Sequence, residues 1–389
     1  MEPKIIRYFL IAVCLYAFAV NSISFSEVSS RGDMVRVAVL QNEKGFDFSI
    51  RGKYKIIDPV TNGDVDGGKR LKRCAVTVKQ GGIRIGRKEY GVRRLRIITK
   101  RDAAIYHKGR KRRYRDQIDI ILTEKDKILV VNTLDLESYV KGVLYHEVPH
   151  RWPMNAIKAQ AVATRTYALY QISEKKGQEY DVTSGIYSQV YGGRSAERHR
   201  TNIAANRTRG QILSYQGKVL PAYFHSNCGG HTEDVAELWK NDLPPLKGVQ
   251  CGFCKGMPNY RWKKNFRSKD VQEKLNANGF KLGLIKEIAV FDRTKSGRIK
   301  NLRIKTRDGK ETTISGIKFR DIVGPNVLKS NYYNIEMKGY YFDVNGRGWG
   351  HGVGMCQWGV YQMAKKRYEY KRILEYYYPG AKIIKISEL

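Results

Sequence analysis

The sequence predicts an α+β fold: a β-rich N-terminal domain, followed by a mixed α+β core with a central alanine-rich helix and a cleft. In residues 35–131, short apolar runs alternate with polar residues and are bounded by Gly, Asn and Asp, which is typical of strands joined by turns. The segment 154–174 contains five Ala and an i, i+4 apolar face, which favours a helix that other backbones approach closely. The later strands and helices come in blocks, and this order indicates α+β rather than a doubly wound sheet.

The strands of the N-terminal domain, assigned to residues 31–131, follow the alternating runs in chain order. They are predicted at 35–40, 48–50, 75–78, 95–98 and 118–122. Turns are expected at Asn62-Gly63 and at residues 66–68, because Asn and Gly tolerate the backbone angles that tight turns need. The basic stretch 107–115 is expected to be a solvated loop, with contact to an anionic polymer as the alternative.

The second half of the chain is predicted to begin with a helix. Asp135 can cap this helix, and Pro149 ends it. A longer helix is predicted at 154–174, and further elements follow. These are a hairpin of 211–215 and 220–225 turned at 216–217, a helix at 271–276, a hairpin of 288–292 and 299–306, and a helix at 359–366.

The charge of the protein limits its partners. The chain has 389 residues, with 72 Lys+Arg against 37 Asp+Glu and a formal net charge of +35. A polyanion is therefore the expected partner: a nucleic acid, an anionic membrane face or an acidic cell-wall polymer. Because 42% of the residues are hydrophobic, the chain can bury enough apolar surface to offset the entropy of ordering, and global disorder is excluded.

The N-terminus predicts export. Lys4 and Arg7 precede an apolar run at 8–20, and small or polar residues follow, which is the order of a secretory signal. The run is shorter than the about 20 apolar residues that a membrane span needs. Residues 1–30 are therefore predicted to be a signal peptide or a retained N-terminal anchor. The protein is expected in the periplasm or cell wall, with membrane contact only through this segment and no nucleic-acid partner.

The first candidate site is the segment 145–149, Tyr-His-Glu-Val-Pro. Glu147 lies where the predicted helix ends and a Pro-bounded turn begins. Apolar and aromatic neighbours, among them Val148 and Trp152, can raise the pKa of its carboxyl group, as a general acid requires. The alternative is an ordinary surface glutamate at a helix end.

The second candidate site is the glycine-rich segment 346–359. Its glycines permit unusual backbone angles and the close approach of a ligand. Arg347, His351 and Gln357 offer hydrogen-bond donors, and Trp349 offers a face on which a sugar can stack. The segment lacks the Lys-Ser/Thr ending of a phosphate-binding loop. We predict that it binds substrate; a purely structural glycine strand is the alternative.

The third candidate site is a cluster of cysteines and histidines. Cys228, Cys251 and Cys254 lie near His225 and His231 in the sequence. Tetrahedral zinc needs four ligands, so we predict a zinc site formed by the three cysteines and one of the two histidines. A redox pair or a disulfide between Cys251 and Cys254 is the alternative.

Taken together, these segments resemble the stage II sporulation protein D family, lytic transglycosylases of bacterial peptidoglycan. The resemblance covers most of residues 134–380, and the ordered set of motifs is specific although no single motif would be. The motifs are Leu136-Glu-Ser-Tyr139-Val-Lys-Gly142, Glu147-Val-Pro149, Trp152-Pro153, Ala156-Ile-Lys-Ala-Gln-Ala-Val-Ala163, Arg165-Thr-Tyr167, Gln189-Val-Tyr191-Gly192, His225-Ser226, Gly229-Gly230, Gly350-His-Gly-Val-Gly-Met355, Gln357-Trp-Gly359 and Tyr377-Tyr378-Pro379-Gly380. Position 356 is Cys where the family usually has Ser.

The resemblance implies that residues 132–389 are a catalytic domain with a zinc-binding segment at 225–254. It implies that Glu147 protonates the glycosidic oxygen between N-acetylmuramic acid and N-acetylglucosamine. The carboxylate then takes the proton of the muramyl C6 hydroxyl, and a 1,6-anhydro end is left. The implied substrate is peptidoglycan glycan stripped of stem peptides, bound by the glycine-rich segment and Tyr191. The implied zinc is structural and holds the loops beside the cleft.

Three other classes of protein stay open at this point. A non-catalytic, glycan-binding modifier of a cell-wall amidase would share the charge, the aromatic residues and the zinc, and its Glu147 would only help to bind glycan. A zinc amidase or peptidase is disfavoured, because catalytic zinc sites use few thiolates. A nucleic-acid-binding zinc-ribbon protein is disfavoured by the export signal.

Overall fold

The fold is that of a computed structural model, which describes residues 34–185, 188–239 and 241–389. The signal peptide or anchor predicted at residues 1–30 lies outside the described residues. Within the described ranges, no helix is both long enough and apolar enough to cross a membrane.

The N-terminal part forms one large sheet, which confirms the predicted β-rich region. Among the described residues its strands are β1 (Met34–Glu43), β2 (Gly45–Ile50), β3 (Tyr54–Asp58), β4 (Gly63–Gly68), β5 (Leu71–Lys79), β6 (Gly82–Ile85), β7 (Lys88–Tyr90), β8 (Arg94–His107), β9 (Arg110–Leu122), β10 (Ile128–Asp135) and β11 (Val182–Thr183). The strand order is β11-β1-β10-β9-β8-β2-β5-β6-β7, and β3 pairs with β8 and β4. The pairs are antiparallel except for β1 with β11.

The rest of the described chain mixes helices and short strands, so the predicted α+β class is confirmed. The helices are α1 (Leu136–Glu147), α2 (Met154–Glu174), α3 (His199–Arg207), α4 (Ser268–Ala277), α5 (Gly316–Val323), α6 (Gln357–Lys365) and α7 (Tyr370–Tyr377). The strands are β12 (Gln211–Tyr215), β13 (Lys218–Val219), β14 (Phe224–His225), β15 (Arg261–Arg267), β16 (Ile285–Arg293), β17 (Ile299–Thr306), β18 (Glu311–Ser315), β19 (Tyr333–Lys338), β20 (Tyr341–Arg347), β21 (Met355–Cys356) and β22 (Lys382–Lys385).

The alanine-rich helix α2 lies at the centre of this second part, as predicted. The helices α1, α3, α6 and α7 and the strand β12 pack around it. Its five alanines are all buried: Ala156, Ala159, Ala161, Ala163 and Ala168. The small side chains let these neighbours approach closely. The predicted cap of α1 is also confirmed, because the Asp135 side chain accepts the N–H of Ser138 at 3.0 Å.

A buried ion pair fixes α1 against α2. Arg165 donates from Nε and Nη2 to the two carboxylate oxygens of Glu137, each at 2.8 Å, and both side chains are buried. The backbone N–H of Gly210 donates to the same carboxylate at 2.9 Å. Removing one partner of such a pair leaves an uncompensated buried charge and costs about 3–5 kcal/mol. The pair therefore holds the helix that carries Glu147 in one position.

Residues 261–347 form two three-stranded sheets with their own core. The strand orders are β15-β20-β19 and β16-β17-β18. Trp262, Leu302, Phe319 and Phe342 are among the buried side chains that pack together there. The predicted helix at 271–276 lies within α4, and the hairpin of β16 and β17 confirms the one predicted in this region.

Two sequence expectations about strands are wrong. The stretch 107–115 is not a loop: it contains the end of β8 and the start of β9, where His107 pairs with Arg110. The ladder hydrogen bonds order the backbone although the side chains are largely solvated. The hairpin predicted after residue 211 pairs only through β13, because Pro221 has no N–H to extend the ladder. Strand β14 pairs instead with β21, in parallel.

Candidate active site and metal centre

Glu147 is the last residue of α1, and its side chain is half-buried. Burial raises the pKa of its carboxyl group to about 7. The N–H of Val190 donates to Oε1 at 2.9 Å, and Nε2 of Gln357 donates to Oε2 at 3.3 Å. Both hydrogen bonds favour the ionised form and partly oppose the effect of burial. A carboxyl group in this setting can give up a proton near neutral pH. The carboxylate that results accepts a hydrogen bond at each of its two oxygens.

Gln357 reaches this carboxyl group from the first position of α6. Its side chain is buried and also donates to Oε1 of Gln160, on α2, at 3.4 Å. Gln160 in turn donates to the hydroxyl of Thr164 at 3.3 Å. The structure thus brings one residue predicted from the glycine-rich segment into direct contact with Glu147, from 210 positions away.

Tyr191 is buried, which does not fit its implied role in substrate binding. The side chain is 1% exposed, and its ring stacks on that of Tyr139, with centroids 5.4 Å apart. Its hydroxyl donates to Oδ1 of Asn132 at 2.7 Å. Because Tyr191 follows Val190, its burial holds the backbone N–H that donates to Glu147.

His351 has both ring nitrogens engaged by the backbone. Nδ1 accepts the N–H of Val353 at 3.1 Å, so Nε2 carries the proton and donates to the carbonyl of Phe224 at 2.9 Å. Burial lowers the pKa of the ring to about 4, which keeps it neutral. These bonds hold the glycine-rich segment against β14 and leave no ring nitrogen free for a substrate, which does not fit the predicted binding role.

Arg347 and Trp349 lie at the surface of the glycine-rich segment. The Arg347 guanidinium is 5.6 Å from the ring centroid of Tyr332, and the ammonium of Lys329 is 5.3 Å from that of Trp349. Trp349 is 36% exposed. Both side chains are accessible to a ligand, and their predicted role in substrate binding stays a prediction.

Two glycines of the segment are required by close packing. Gly354 has φ of +69°, and a Cβ there would lie 2.1 Å from the carbonyl oxygen of Tyr223. A Cβ on Gly359 would lie 1.9 Å from the Tyr377 hydroxyl and 3.1 Å from Sγ of Cys251. These two glycines are therefore needed for close packing inside the protein, whether or not the segment binds a ligand.

An exposed aromatic surface formed by Tyr223 and Trp239 was missed by the sequence analysis. The rings of Tyr223 and Trp239 are stacked, with centroids 4.3 Å apart and an interplanar angle of 18°, and Trp239 is 36% exposed. Tyr167 packs against Tyr223 at 5.8 Å and hydrogen-bonds Ser188, two residues before Val190. Tyr167 lies on α2, and Tyr223 and Trp239 lie on either side of the segment that contains His225, Cys228 and His231. Because no motif joins these positions, the only sequence signal for the surface is the content of aromatic residues.

Four cysteines lie close enough to hold a metal ion. The Sγ atoms of Cys228, Cys251, Cys254 and Cys356 all lie within 4.8 Å of one another, and all four side chains are buried. Four thiolates about 2.3 Å from a tetrahedral zinc would be about 3.8 Å apart. The described cysteines are free thiols. The set therefore fits a metal such as zinc in both its chemistry and its spacing.

Cys356 takes the place that the sequence analysis gave to a histidine. The parallel pairing of β14 with β21 sets His225 opposite Cys356 in register, and this contact between distant segments cannot be seen from spacing. Nδ1 of His225 is 3.0 Å from the carbonyl oxygen of Val353, and Nδ1 of His231 is 2.6 Å from that of Thr232. Neither histidine belongs to the group of clustered ligand atoms.

Hydrogen-bond donors surround the thiols. The N–H of Cys228 donates to Sγ of Cys356 at 3.3 Å, and the N–H of Gly230 donates to Sγ of Cys228 at 3.4 Å. The hydroxyl of Tyr377 lies 3.2 Å from Sγ of Cys251. Arg298, which is buried, donates to the carbonyl of Cys228 at 2.7 Å. Such outer contacts orient the ligands of a metal site.

Comparison with known proteins gives two family matches. The model described as "Stage II sporulation protein" matches residues 124–215, which include Glu147 and Val190. A domain of unknown function, DUF8618, matches residues 249–354. Cys356 and Gln357 lie outside both matched ranges.

Relatives extend these matches over most of the chain. Stage II sporulation protein D of Bacillus subtilis is 32% identical over 270 residues, which cover 65% of this chain and 75% of the relative. The chain belongs to the stage II sporulation protein D family. An uncharacterised protein of Brachyspira hyodysenteriae is 31% identical over 371 residues, 95% of each chain. The amidase enhancer of Bacillus subtilis is 30% identical over 287 residues, which cover 62% of this chain and 39% of the relative. Family membership and the amidase-enhancer relative support a cell-wall-related function.

Proposed function

We propose that the protein is a peptidoglycan lytic transglycosylase, exported to the periplasm or cell wall. It cleaves the bond between N-acetylmuramic acid and N-acetylglucosamine in glycan without stem peptides and forms 1,6-anhydro-N-acetylmuramic acid. The observation that carries the proposal is Glu147: a half-buried carboxyl group with its pKa raised to about 7 and a hydrogen-bond donor at each oxygen.

The proposed mechanism uses this one carboxyl group twice. Protonated Glu147 gives its proton to the glycosidic oxygen, and the bond to C1 of the muramyl residue breaks. The N–H of Val190 and the amide of Gln357 then hold the carboxylate. The carboxylate takes the proton of the C6 hydroxyl as that oxygen bonds to C1. No second carboxylate is needed, unlike in most glycosidases, and none contacts Glu147 through a hydrogen bond within the described ranges.

Two groups of aromatic side chains suit a sugar chain. The stacked pair of Tyr223 and Trp239 offers an exposed aromatic face. In the second group, Trp358 follows Gln357, which contacts Glu147, and packs against Trp152 and Tyr361, with centroids 5.1 and 5.5 Å away. Aromatic faces beside polar groups bind the apolar faces of sugar rings while the polar groups bind the hydroxyls.

Product mass tests the activity directly. When the wild-type protein is incubated with stem-free glycan, the new ends should be 1,6-anhydro-N-acetylmuramic acid, because the C6 hydroxyl and not water attacks C1. Mass spectrometry should show products lighter by one water than those of a hydrolase. Reducing ends from the wild-type protein would contradict the proposal.

The pH profile tests the role of Glu147 as the acid. Since the proton must be on Glu147 at the start, kcat/KM is expected to fall about tenfold per pH unit above about 7. In Gln357→Leu the loss of a donor to the carboxylate should raise the pKa of Glu147 further and move this decline to higher pH. Gln362→Leu is the control, since Gln362 lies on the same helix and faces Met257. A decline that moves to lower pH in Gln357→Leu would contradict this assignment.

We also propose that the four cysteines hold a structural zinc ion. Four thiolates leave no open position for water, which is the pattern of structural zinc sites. The cluster joins strand β21, directly before Gln357, to the segment around residue 228. Zinc would thereby keep Gln357 in place beside Glu147.

The second candidate function is that of a glycan-binding modifier of a cell-wall amidase. The relative named amidase enhancer favours it. In that function Glu147 would bind glycan without cleaving it, so the two candidates differ in whether the wild-type protein releases fragments from glycan on its own.

A further inference from the structure

The backbone N–H of Val190 is the closer of the two hydrogen-bond donors to Glu147. It lies 2.9 Å from Oε1, whereas Nε2 of Gln357 lies 3.3 Å from Oε2. A backbone N–H cannot turn about side-chain bonds, so its direction depends on how the residues beside it are held. The contacts on either side of Val190 therefore decide whether the carboxylate keeps this donor.

Tyr191, the residue after Val190, is held by the N-terminal sheet. Its hydroxyl donates to Oδ1 of Asn132 at 2.7 Å. Asn132 lies on β10 and is fully buried. Its Nδ2 donates to the carbonyls of Arg115 and Gln117, each at 2.9 Å. Because both N–H groups of the amide are used in this way, Oδ1 is the atom that faces Tyr191, and the orientation of the amide is fixed.

The residues around this hydrogen bond are held by α1, the helix that carries the candidate acid. The hydroxyl of Tyr139 donates to Oε1 of Gln189 at 2.8 Å, and the N–H of Gly192 donates to the carbonyl of Gly142 at 3.0 Å. The ring of Tyr191 packs on the same helix so closely that a Cβ on Gly142 would lie 2.5 Å from it. The segment that contains Val190 is therefore bonded both to α1 and to β10.

Strand β10 continues directly into α1. Asp135 is the last residue of the strand and caps the helix, and Asn132 lies three positions earlier on the same strand. One continuous stretch of chain thus positions the carboxyl group of Glu147 through the helix and the N–H of Val190 through the bond to Tyr191. Water does not compete for these hydrogen bonds, because four of the side chains that form them are at most 1% exposed: Asn132, Tyr139, Gln189 and Tyr191.

We propose that Asn132 and Tyr191 are positioning residues for Glu147, because their hydrogen bond directs the N–H of Val190 to the carboxylate. This inference rests on the proposed function, in which the carboxylate must be held until it takes the proton of the C6 hydroxyl. The N-terminal sheet then adjusts the acid strength of Glu147 through Asn132, without itself contacting the glycan.

The pKa of Glu147 reports this positioning. Burial raises the pKa, the donors Val190 and Gln357 lower it, and no charged group among the described residues contributes to the shift. Tyr139 is the titratable side chain whose own pKa responds to the charge of Glu147, and burial keeps its hydroxyl protonated. Loss of the Val190 donor should therefore raise the pKa of Glu147 by about 0.5–1 pH unit, which corresponds to one hydrogen bond.

The test compares Tyr191→Phe with Tyr90→Phe. The second variant is a matched control, because the Tyr90 hydroxyl also donates to a side-chain oxygen, that of Asp66 at 2.6 Å, and β7 lies at the edge of the sheet away from β10. Glutamate side chains are labelled with ¹³C, and the pKa of Glu147 is measured by NMR titration without substrate. Its signal is the one missing from Glu147→Gln. Tyr191→Phe should raise this pKa by the amount given above, and Tyr90→Phe should leave it unchanged.

The hydrogen bond between the two residues is tested with Asn132→Ala. Alone or combined with Tyr191→Phe, it should give the same rise in the pKa of Glu147 as Tyr191→Phe alone, because all three variants remove the same hydrogen bond. If Asn132→Ala does not fold, Tyr191→Phe decides. On stem-free glycan, the decline of kcat/KM should move to higher pH by the same amount.

The titration separates this inference from the proposed function, because it needs no cleavage. A raised pKa of Glu147 in Tyr191→Phe would support the positioning role even if the wild-type protein did not cleave glycan. A lower melting temperature with an unchanged pKa of Glu147 would make the hydrogen bond purely structural and overturn the inference. An equal rise of the pKa in Tyr90→Phe would also overturn it.

Discussion

Glu147→Gln is expected to abolish glycan cleavage. The glutamine keeps the size of the side chain and part of its hydrogen bonding, but it cannot deliver a proton at neutral pH. Loss of general acid–base help typically costs about 10²–10⁴ in rate. Since the same group acts as acid and then as base in the proposed mechanism, both steps are affected. The release of soluble fragments from purified sacculi treated to remove stem peptides measures the effect.

Binding to glycan should persist in Glu147→Gln, because the aromatic surfaces are untouched. The fold should also persist, since removing the carboxylate also removes the cost of burying its charge. Glu336→Gln is the control, because Glu336 is an exposed carboxylate on β19. Full cleavage by Glu147→Gln would remove Glu147 from the mechanism. A wild-type protein that binds sacculi but releases nothing, alone, would favour the modifier of an amidase instead.

The parts of the fold that short-range patterns control could be predicted from the sequence. The cap at Asp135 and the buried face of α2 depend on residues within a few positions of one another, and both are present. The basic hairpin at 107–115 was missed, because its order comes from pairing between two strands and not from its own composition. The strand predicted after residue 219 failed for a local reason, since Pro221 ends the ladder.

The sequence predicted which residue types form the candidate site, but it did not predict most of the contacts between them. Glu147 could be chosen because Glu147-Val-Pro149 matches a motif of the family, whereas its apolar neighbours alone left an ordinary surface glutamate as the alternative. Its contact with Gln357 spans 210 positions, and no spacing rule reveals it. Tyr191 and His351 are residue types that bind sugars, yet the structure engages both inside the protein. The aromatic face of Tyr223 and Trp239 forms only when distant segments meet.

Cys356 shows the same limit in the metal centre. Its thiol joins the other three because strand β21 pairs with strand β14. In this pairing Met355 lies opposite Phe224, which is 131 positions earlier in the chain. The sequence analysis noted Cys where the family usually has Ser, without a reason for it. The structure supplies one, because that thiol completes a set of four.

Removing the metal is expected to destabilise the protein strongly. Purified protein should carry about one zinc per chain, and chelation should lower its melting temperature, because the free energy of binding a structural zinc becomes free energy of folding. Cys356→Ser should weaken zinc binding by more than about 100-fold, since even loss of an outer contact costs about 10–100-fold. His225→Ala and His231→Ala should keep the zinc, because neither ring belongs to the clustered ligand atoms. Metal content by mass spectrometry and thermal unfolding measure these effects.

Cys74→Ser is the matched control for the loss of a cysteine. Cys74 is partly exposed on β5 and does not belong to the cluster, so its replacement should change neither metal content nor melting temperature. Zinc retained by Cys356→Ser but lost from His231→Ala would restore the histidine as the fourth ligand. A disulfide between Cys251 and Cys254 in gently isolated, metal-free protein would remove the metal centre altogether. If the four thiolates do hold zinc, chelation should also reduce glycan cleavage, because β21 would no longer hold Gln357 against Glu147.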